Sequence, residues 1–205
     1  MLNQVVVKNL SKAYQRRKLF TDVSLTIPDN SVLVVLGPNG AGKTTFLRIL
    51  CGLTPATSGQ VDIMINGQIL TAGQRRAQLG LVTPELELYG ELSAVENLEF
   101  FAGVRELPFS RQQARELLAF VGLKGRGHDF LKTYSSGMKQ RIKYAYALLH
   151  QPHILVLDEP TSNLDEAGVA LVDTIIRQQK ERGIVIMATN EPGEVAYGDQ
   201  TFTLA

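Results

Sequence analysis

The stretch that most constrains this chain is Val32-Leu33-Val34-Val35-Leu36 followed by Gly37-Pro38-Asn39-Gly40-Ala41-Gly42-Lys43-Thr44-Thr45. The apolar, β-branched run predicts a buried strand, and Phe46-Leu47-Arg48-Ile49-Leu50 resumes after the turn with helical spacing. The turn between them satisfies G-x-x-x-x-G-K-[ST] in the strand-to-helix setting that gives the motif meaning. Gly37, Gly40 and Gly42 let the backbone bend tightly and turn successive N–H groups inward, and with Pro38, Asn39 and Ala41 they form a nest for anionic oxygens at the start of the helix. Phosphate is the natural guest. Lys43 is placed to neutralise β- and γ-phosphates, the Thr44 hydroxyl to ligate a Mg²⁺ that bridges them, and Thr45 to support the α- or β-phosphate.

At 205 residues the chain is long enough for one substantial core, and a single compact unit is expected over 1–205. Its 21 basic and 20 acidic residues leave a net charge of +1, so there is no bulk electrostatic case for nucleic acid or an anionic membrane surface. The single Cys51 excludes an internal disulfide and a multi-cysteine metal site, and on the helix after the phosphate loop it reads as a small buried hydrophobe. That usage suits the cytosol. Met1 to Lys12 alternates apolar and polar residues and so predicts no signal peptide, and no apolar run approaches the ~18 residues a spanning helix needs. A chain soluble by itself, with no further domain after residues 201–204, is the expectation.

Taken in order, Val5–Val7 and Val23–Ile27 predict strands of an antiparallel lead-in, with Tyr14 between them among Lys12, Arg16, Arg17 and Lys18, where an aromatic face could stack on a purine. Val61–Ile65 and Gln68–Leu70 flank Asn66-Gly67, the strongest short hairpin signal in the chain. Leu79–Val82 is a short apolar run ending at Thr83-Pro84-Glu85. From about 86 to 150 the character changes: Ala94–Ala102, Ser110–Val121 and Gly137–His150 carry helical spacing with polar caps such as Ser93 and Ser110, and strands disappear. A helical subdomain is therefore inserted into an α/β core made of residues 1–85 and 151–205.

Ile154-Leu155-Val156-Leu157 runs straight into Asp158-Glu159-Pro160. Ligand crevices in parallel sheets form at the C-terminal ends of strands, so a buried strand delivering two carboxylates there belongs with the phosphate loop. Asp158 is placed to hold the magnesium and Glu159, pointing the other way, to polarise the attacking water. Glu166–Arg182 predicts a final long helix, and Ile184–Ala188 a further buried strand that ends at Thr189-Asn190-Glu191-Pro192 on the same edge.

At Tyr134-Ser135-Ser136-Gly137-Met138-Lys139-Gln140-Arg141 the chain resembles the signature motif of ATP-binding-cassette (ABC) ATPases, usually centred on Leu-Ser-Gly-Gly-Gln. The resemblance covers essentially the whole chain. It implies an α/β fold, a P-loop NTPase core with a mostly parallel sheet, an N-terminal antiparallel β subdomain and the inserted helical subdomain. It implies two cassettes closing head to tail around ATP and Mg²⁺, homodimer or heterodimer, with Ser135, Ser136 and Gly137 of one engaging the nucleotide on the phosphate loop of the other. Tyr14 falls where the family places its adenine-stacking aromatic, and Ser162-Asn163-Leu164-Asp165 matches the loop that contacts the opposite subunit. Leu79–Asn97 resembles the segment that couples to integral membrane permease subunits, with Leu86, Leu88 and Tyr89 as apolar contacts, which would station the protein peripherally on the cytoplasmic face.

The chain departs from the family pattern at three places. Ser136 and Met138 give a Ser-Ser-Gly-Met form that resembles the exporter-like branch with ABC-2-type permeases, small haem exporters of cytochrome c maturation among them. Glu85 stands where glutamine is general, still able to reach the magnesium or its water but carrying a charge. Asn190 stands where most members have a histidine that contacts the γ-phosphate; an amide donates one hydrogen bond per N–H but carries neither proton nor positive charge. Lys43, Glu159 and Asn190 are thus the expected catalytic set, with turnover slowed by Asn190. A hydrolysis-impaired regulatory cassette and a soluble cassette outside transport are the alternatives.

Overall fold

The computed structural model describes residues 3–15 and 17–204; Arg16, one of the basic residues beside Tyr14, lies outside them. The elements are β1 (Gln4–Tyr14), β2 (Arg17–Pro28), β3 (Val32–Leu36), α1 (Lys43–Leu50), β4 (Ser58–Ile65), β5 (Gln68–Ile69), α2 (Ala72–Gln78), β6 (Leu79–Val82), α3 (Ala94–Val104), α4 (Arg111–Phe120), α5 (Ser136–Leu148), β7 (Ile154–Asp158), α6 (Glu166–Arg182), β8 (Ile184–Ala188) and β9 (Gln200–Thr203). They form two sheets, an antiparallel β2-β1-β4-β5 and a parallel β6-β7-β8-β3-β9.

The parallel sheet explains why its strands read as unbroken apolar runs. Side chains alternate between faces, and both faces are covered. Val32, Val34, Leu155, Leu157, Val185 and Met187 pack into the cluster shared with α3, α4, α5 and α6. Their neighbours Leu33, Val35, Ile154, Val156, Ile184 and Ile186 pack on the other side with α1 and the antiparallel sheet. Phe46 of α1 is fully buried there, its ring 5.7 Å from those of Phe20 and Phe202. Cys51 is buried in the same cluster, as its spacing predicts, and burial pushes its thiol up to about 12.

Two expectations change. The first strand runs to Tyr14 rather than stopping near Val7, because register shifts follow Val7 and Asn9 takes a left-handed φ of 46°, breaking the period-two pattern while the pairing with β2 continues. Tyr14 is therefore the last residue of a strand, paired with Arg17, not part of a connection between strands. Helix α2 was not expected; none of its residues is buried, so it has no apolar stripe to read, and it is held by the reciprocal Thr71–Gln74 capping box. The same device starts α3 at Ser93–Glu96 and α4 at Ser110–Gln113, as the cap residues predict.

All five parallel strands point the same way, so Leu36, Val82, Asp158, Ala188 and Thr203 end at one edge of the sheet. Ligand crevices in parallel sheets form at that edge, and the segments following β3, β7 and β8 leave it together.

Candidate functional site

The loop after β3 is shaped by two glycines in particular. Gly37 has φ +149°, and a Cβ there would meet the Leu204 carbonyl oxygen at 2.5 Å, so the chain leaving β9 requires it. Gly42, at φ +101°, is the left-handed residue that opens α1, with no side chain capping the helix. The first-turn N–H groups of α1 thus face an anion site without an internal competitor.

Lys43 is 7% exposed and reaches back across the loop. Its ammonium donates to the carbonyls of Gly37 at 2.7 Å and Pro38 at 3.3 Å and to Oδ1 of Asn190 at 2.5 Å. Asn190 in turn donates from Nδ2 to Oδ1 of Asn39 at 2.5 Å, closing a bridge from the end of β8 over the loop. Beside it, the Thr44 hydroxyl donates to Oδ2 of Asp158 at 2.6 Å. Burial raises the Asp158 pKa above its usual 3.8, and the negative charges of Glu159 and Glu85 push the same way, against the Thr44 hydrogen bond and the charge of Lys43. A buried carboxylate and a hydroxyl in contact, with further acids nearby, are a hard-oxygen pair suited to a divalent cation such as Mg²⁺.

Glu159 sits at φ 50°, a left-handed conformation that is uncommon for a glutamate. Its N–H is held by the Ala188 carbonyl at 2.9 Å, and its side chain is exposed whereas that of Asp158 is buried. Asn39, Glu159, Ser162, Asn163 and Asn190 line one cleft of about 800 Å³, so residues from three separate stretches converge there. Sequence reasoning missed Glu194 in the same cleft, where its buried carboxylate accepts from the Thr161 hydroxyl.

Other expected residues lie elsewhere. Glu85 is exposed and pairs with Arg48 of α1 at 3.2 Å; among the described contacts it is not joined to Thr44 or Asp158. Ser135 caps α5, its oxygen accepting from the Met138 N–H at 3.2 Å, and Ser136 beside it is exposed. A Cβ on Gly137 would stand an ordinary 3.6 Å from the Asn163 carbonyl oxygen, so no intrachain contact demands glycine there. Asp165 is occupied within the chain: it accepts from the Gly168 N–H at 2.8 Å, capping α6, and from Arg141 at 2.6 Å. Those hydrogen bonds, Gly168 first, hold its carboxyl below the usual range. Tyr14 is half exposed. The sequence reading set basic residues around Tyr14 but could not say which reaches the loop; Arg17 does, donating to the Gly40 carbonyl at 3.1 Å.

Tyr89 stacks on Phe101 and meets Phe100 edge-on, forming an aromatic group at the start of the helical region. A groove of about 360 Å³ beside it is lined by Pro84, Leu86, Glu87, Leu88 and Lys143. Lys143, on α5, donates to the carbonyls of Thr83 at 3.1 Å and Pro84 at 2.8 Å, and burial lowers its pKa. Among the described residues no helix is long and apolar enough to cross a membrane.

A family model described as ABC transporter matches residues 20–162. Over 187 residues, 90% of this chain, the sequence is 39% identical to YhcH of Bacillus subtilis, described as an uncharacterized ABC transporter ATP-binding protein, and spans 60% of that relative's length. It is 36% identical over 184 residues to SrtF of Streptococcus pyogenes, a lantibiotic transport ATP-binding protein, covering 90% of this chain and 78% of SrtF. A solved structure of an ATP-binding subunit of an ABC transporter superposes with a TM-score of 0.86 at 28% identity, covering 98% of this chain and 85% of that one.

Proposed function

The chain belongs to the ABC transporter family, and from that premise we propose that it binds and hydrolyses ATP as the energy-coupling subunit of a transporter. The observation that carries this reading is the convergence of Lys43, Thr44, Asp158, Glu159 and Asn190 at one sheet edge, joined by the hydrogen bonds from Lys43 to Asn190 and from Thr44 to Asp158.

In this reading the loop 37–45 and the first turn of α1 take the triphosphate, and Lys43 exchanges its carbonyl and amide acceptors for phosphate oxygens. Thr44 and Asp158 are the residues that would hold Mg²⁺, which supplies positive charge against the phosphates. Glu85 joins that site only by leaving Arg48. The exposed carboxylate of Glu159 accepts a proton from the attacking water as the water oxygen bonds to the γ-phosphorus; the bond to the bridging oxygen breaks and ADP departs with the electron pair. Asn190 donates to the γ-phosphate, with the second N–H of its amide or with the one that Asn39 accepts. One pre-organised donor is worth about 3 to 4 kcal/mol of transition-state stabilisation in other enzymes, so an amide in a histidine's place predicts slow turnover.

The working form is a closed pair with a second cassette, the same chain or a relative, in which Ser135, Ser136 and Gly137 of one subunit meet the nucleotide of the other. The capped but exposed start of α5 supports it, as does a glycine at 137 that nothing within the chain requires. Tyr14 stacks on the adenine. The groove lined by Leu86, Leu88 and Lys143 takes a short helix of an integral membrane permease, stationing the cassette on the cytoplasmic face. An exporter is favoured by the similarity to SrtF, a lantibiotic transport ATP-binding protein; the narrower haem reading rests on Ser-Ser-Gly-Met and the short chain.

The test is phosphate release by the purified chain with Mg-ATP, beside the Glu159→Gln variant. Turnover that this variant abolishes while it still binds ATP supports the reading. Tight ATP binding without glutamate-dependent turnover selects the regulatory cassette instead, which the Asn39–Asn190–Lys43 bridge favours. Co-purification from membranes identifies the permease.

A further inference from the structure

Lys12 is a charged side chain only 7% exposed, and a buried ammonium is costly unless its donors and charge are answered. Among the described residues no carboxylate forms an ion pair with it. Two other groups answer it. Its ammonium donates to the Pro55 carbonyl at 2.7 Å, and it lies 4.5 Å from the centroid of the Tyr14 ring. The two residues are i and i+2 on β1, so they share a face of the strand, and the cation covers one side of the aromatic ring.

The end of this hairpin is also tied to the phosphate loop. Tyr14 pairs with Arg17, and Arg17 donates to the Gly40 carbonyl at 3.1 Å. The strand end that carries Tyr14 is therefore tied to the loop through Arg17, while the ring itself is met by Lys12, which is held at Pro55 before β4.

We propose that Lys12 is a positioning residue that holds the Tyr14 ring from behind as a platform for the nucleobase. This inference rests on the reading of Tyr14 as the adenine-stacking residue. The ammonium acts in two ways. It holds an exposed ring in one orientation, so that stacking costs less side-chain freedom. It also draws π-electron density toward the covered face, making the free face a better partner for an electron-rich purine.

The experiment compares ATP with inorganic tripolyphosphate, both with Mg²⁺, on the full chain. Lys12→Met keeps the aliphatic stem and removes the charge; Lys12→Gln removes the charge but keeps a donor for Pro55, and serves if methionine impairs folding. Either variant should weaken ATP binding roughly three- to tenfold, with the loss in KM rather than kcat, and leave tripolyphosphate affinity where it was. Lys12→Arg, which retains a cation over the ring, should restore ATP affinity. In a Tyr14→Leu background, Lys12→Met should add nothing. Unchanged ATP affinity in the neutral variants, or an equal loss for ATP and tripolyphosphate, overturns the role of Lys12. ATP affinity unchanged in Tyr14→Leu alone overturns the adenine reading beneath it, which keeps the two failures distinguishable.

Discussion

The ammonium of Lys43 lies 2.5 Å from Oδ1 of Asn190, and Nδ2 of the same amide lies 2.5 Å from Oδ1 of Asn39. One side chain at the end of β8 therefore holds both the cation and the tip of the phosphate loop. An amide can do this because it presents an acceptor and a donor together, whereas a neutral imidazole would place them on opposite ring nitrogens.

Asn190→His should raise steady-state phosphate release. The substitution frees Asn39, removes the acceptor that competes for Lys43, and supplies a donor that can carry charge; a gain of roughly a hundredfold or more in kcat is expected. A variant no faster than the parent means the asparagine does not limit rate.

Thr44→Val keeps the shape of the side chain and deletes the hydroxyl that donates to Asp158 at 2.6 Å. ATP binding by the parent should tighten on adding Mg²⁺, and in the variant that response should shrink at least about tenfold, as expected when one hard-oxygen ligand is lost. A calorimetric titration with and without the cation reads it directly. An undiminished Mg²⁺ response in the variant rules Thr44 out as a ligand.

Phe46→Ala should destabilise the fold by about 3 to 5 kcal/mol, because the ring is fully buried between Phe20 and Phe202 and the cavity lies where the two sheets meet through α1. For a chain of this size that corresponds to a melting temperature lower by roughly 10 °C. A drop of one or two degrees would show that the layer collapses to fill the space.

His150 links stability to acid. Burial lowers its pKa from 6.5 to about 4, Arg105 adds to the effect, and the hydrogen bond to the Leu79 carbonyl opposes it. The folded chain therefore keeps this ring neutral while the unfolded chain protonates it, so its contribution is present above pH 6.5 and is lost as pH falls toward 4. His150→Gln, which retains a donor for Leu79, should flatten the decline in melting temperature across that window. Parallel curves for parent and variant would mean that other groups account for the acid sensitivity.

Much of this architecture was legible because single residues dictate their own local structure. The run Val32–Leu36 followed by three glycines, lysine and threonine reads as a strand, a tight turn and a helix, and that is what the chain forms. Ile154–Leu157 and Ile184–Ala188 read as strands covered on both faces because they have no polar alternation, and Ser93 marks a helix start as a polar cap before an apolar helical pattern. These signals span a few residues and need no partner elsewhere in the chain.

What no local pattern carries is which side chain meets which across the fold. The sequence could name Glu85 as able to reach the metal site but not its partner in this structure, which is Arg48. It matched the loop 162–165 to one that contacts another subunit, and could not say that Asp165 within it also accepts from Arg141 and caps α6. It left the basic cluster around Tyr14 undivided until the hairpin register sent Arg17 to Gly40 and buried Lys12 against the ring. The reason is the same each time: a charged side chain on the surface has several partners within reach, and only the distance set by strands and helices far apart in the chain decides which one it takes.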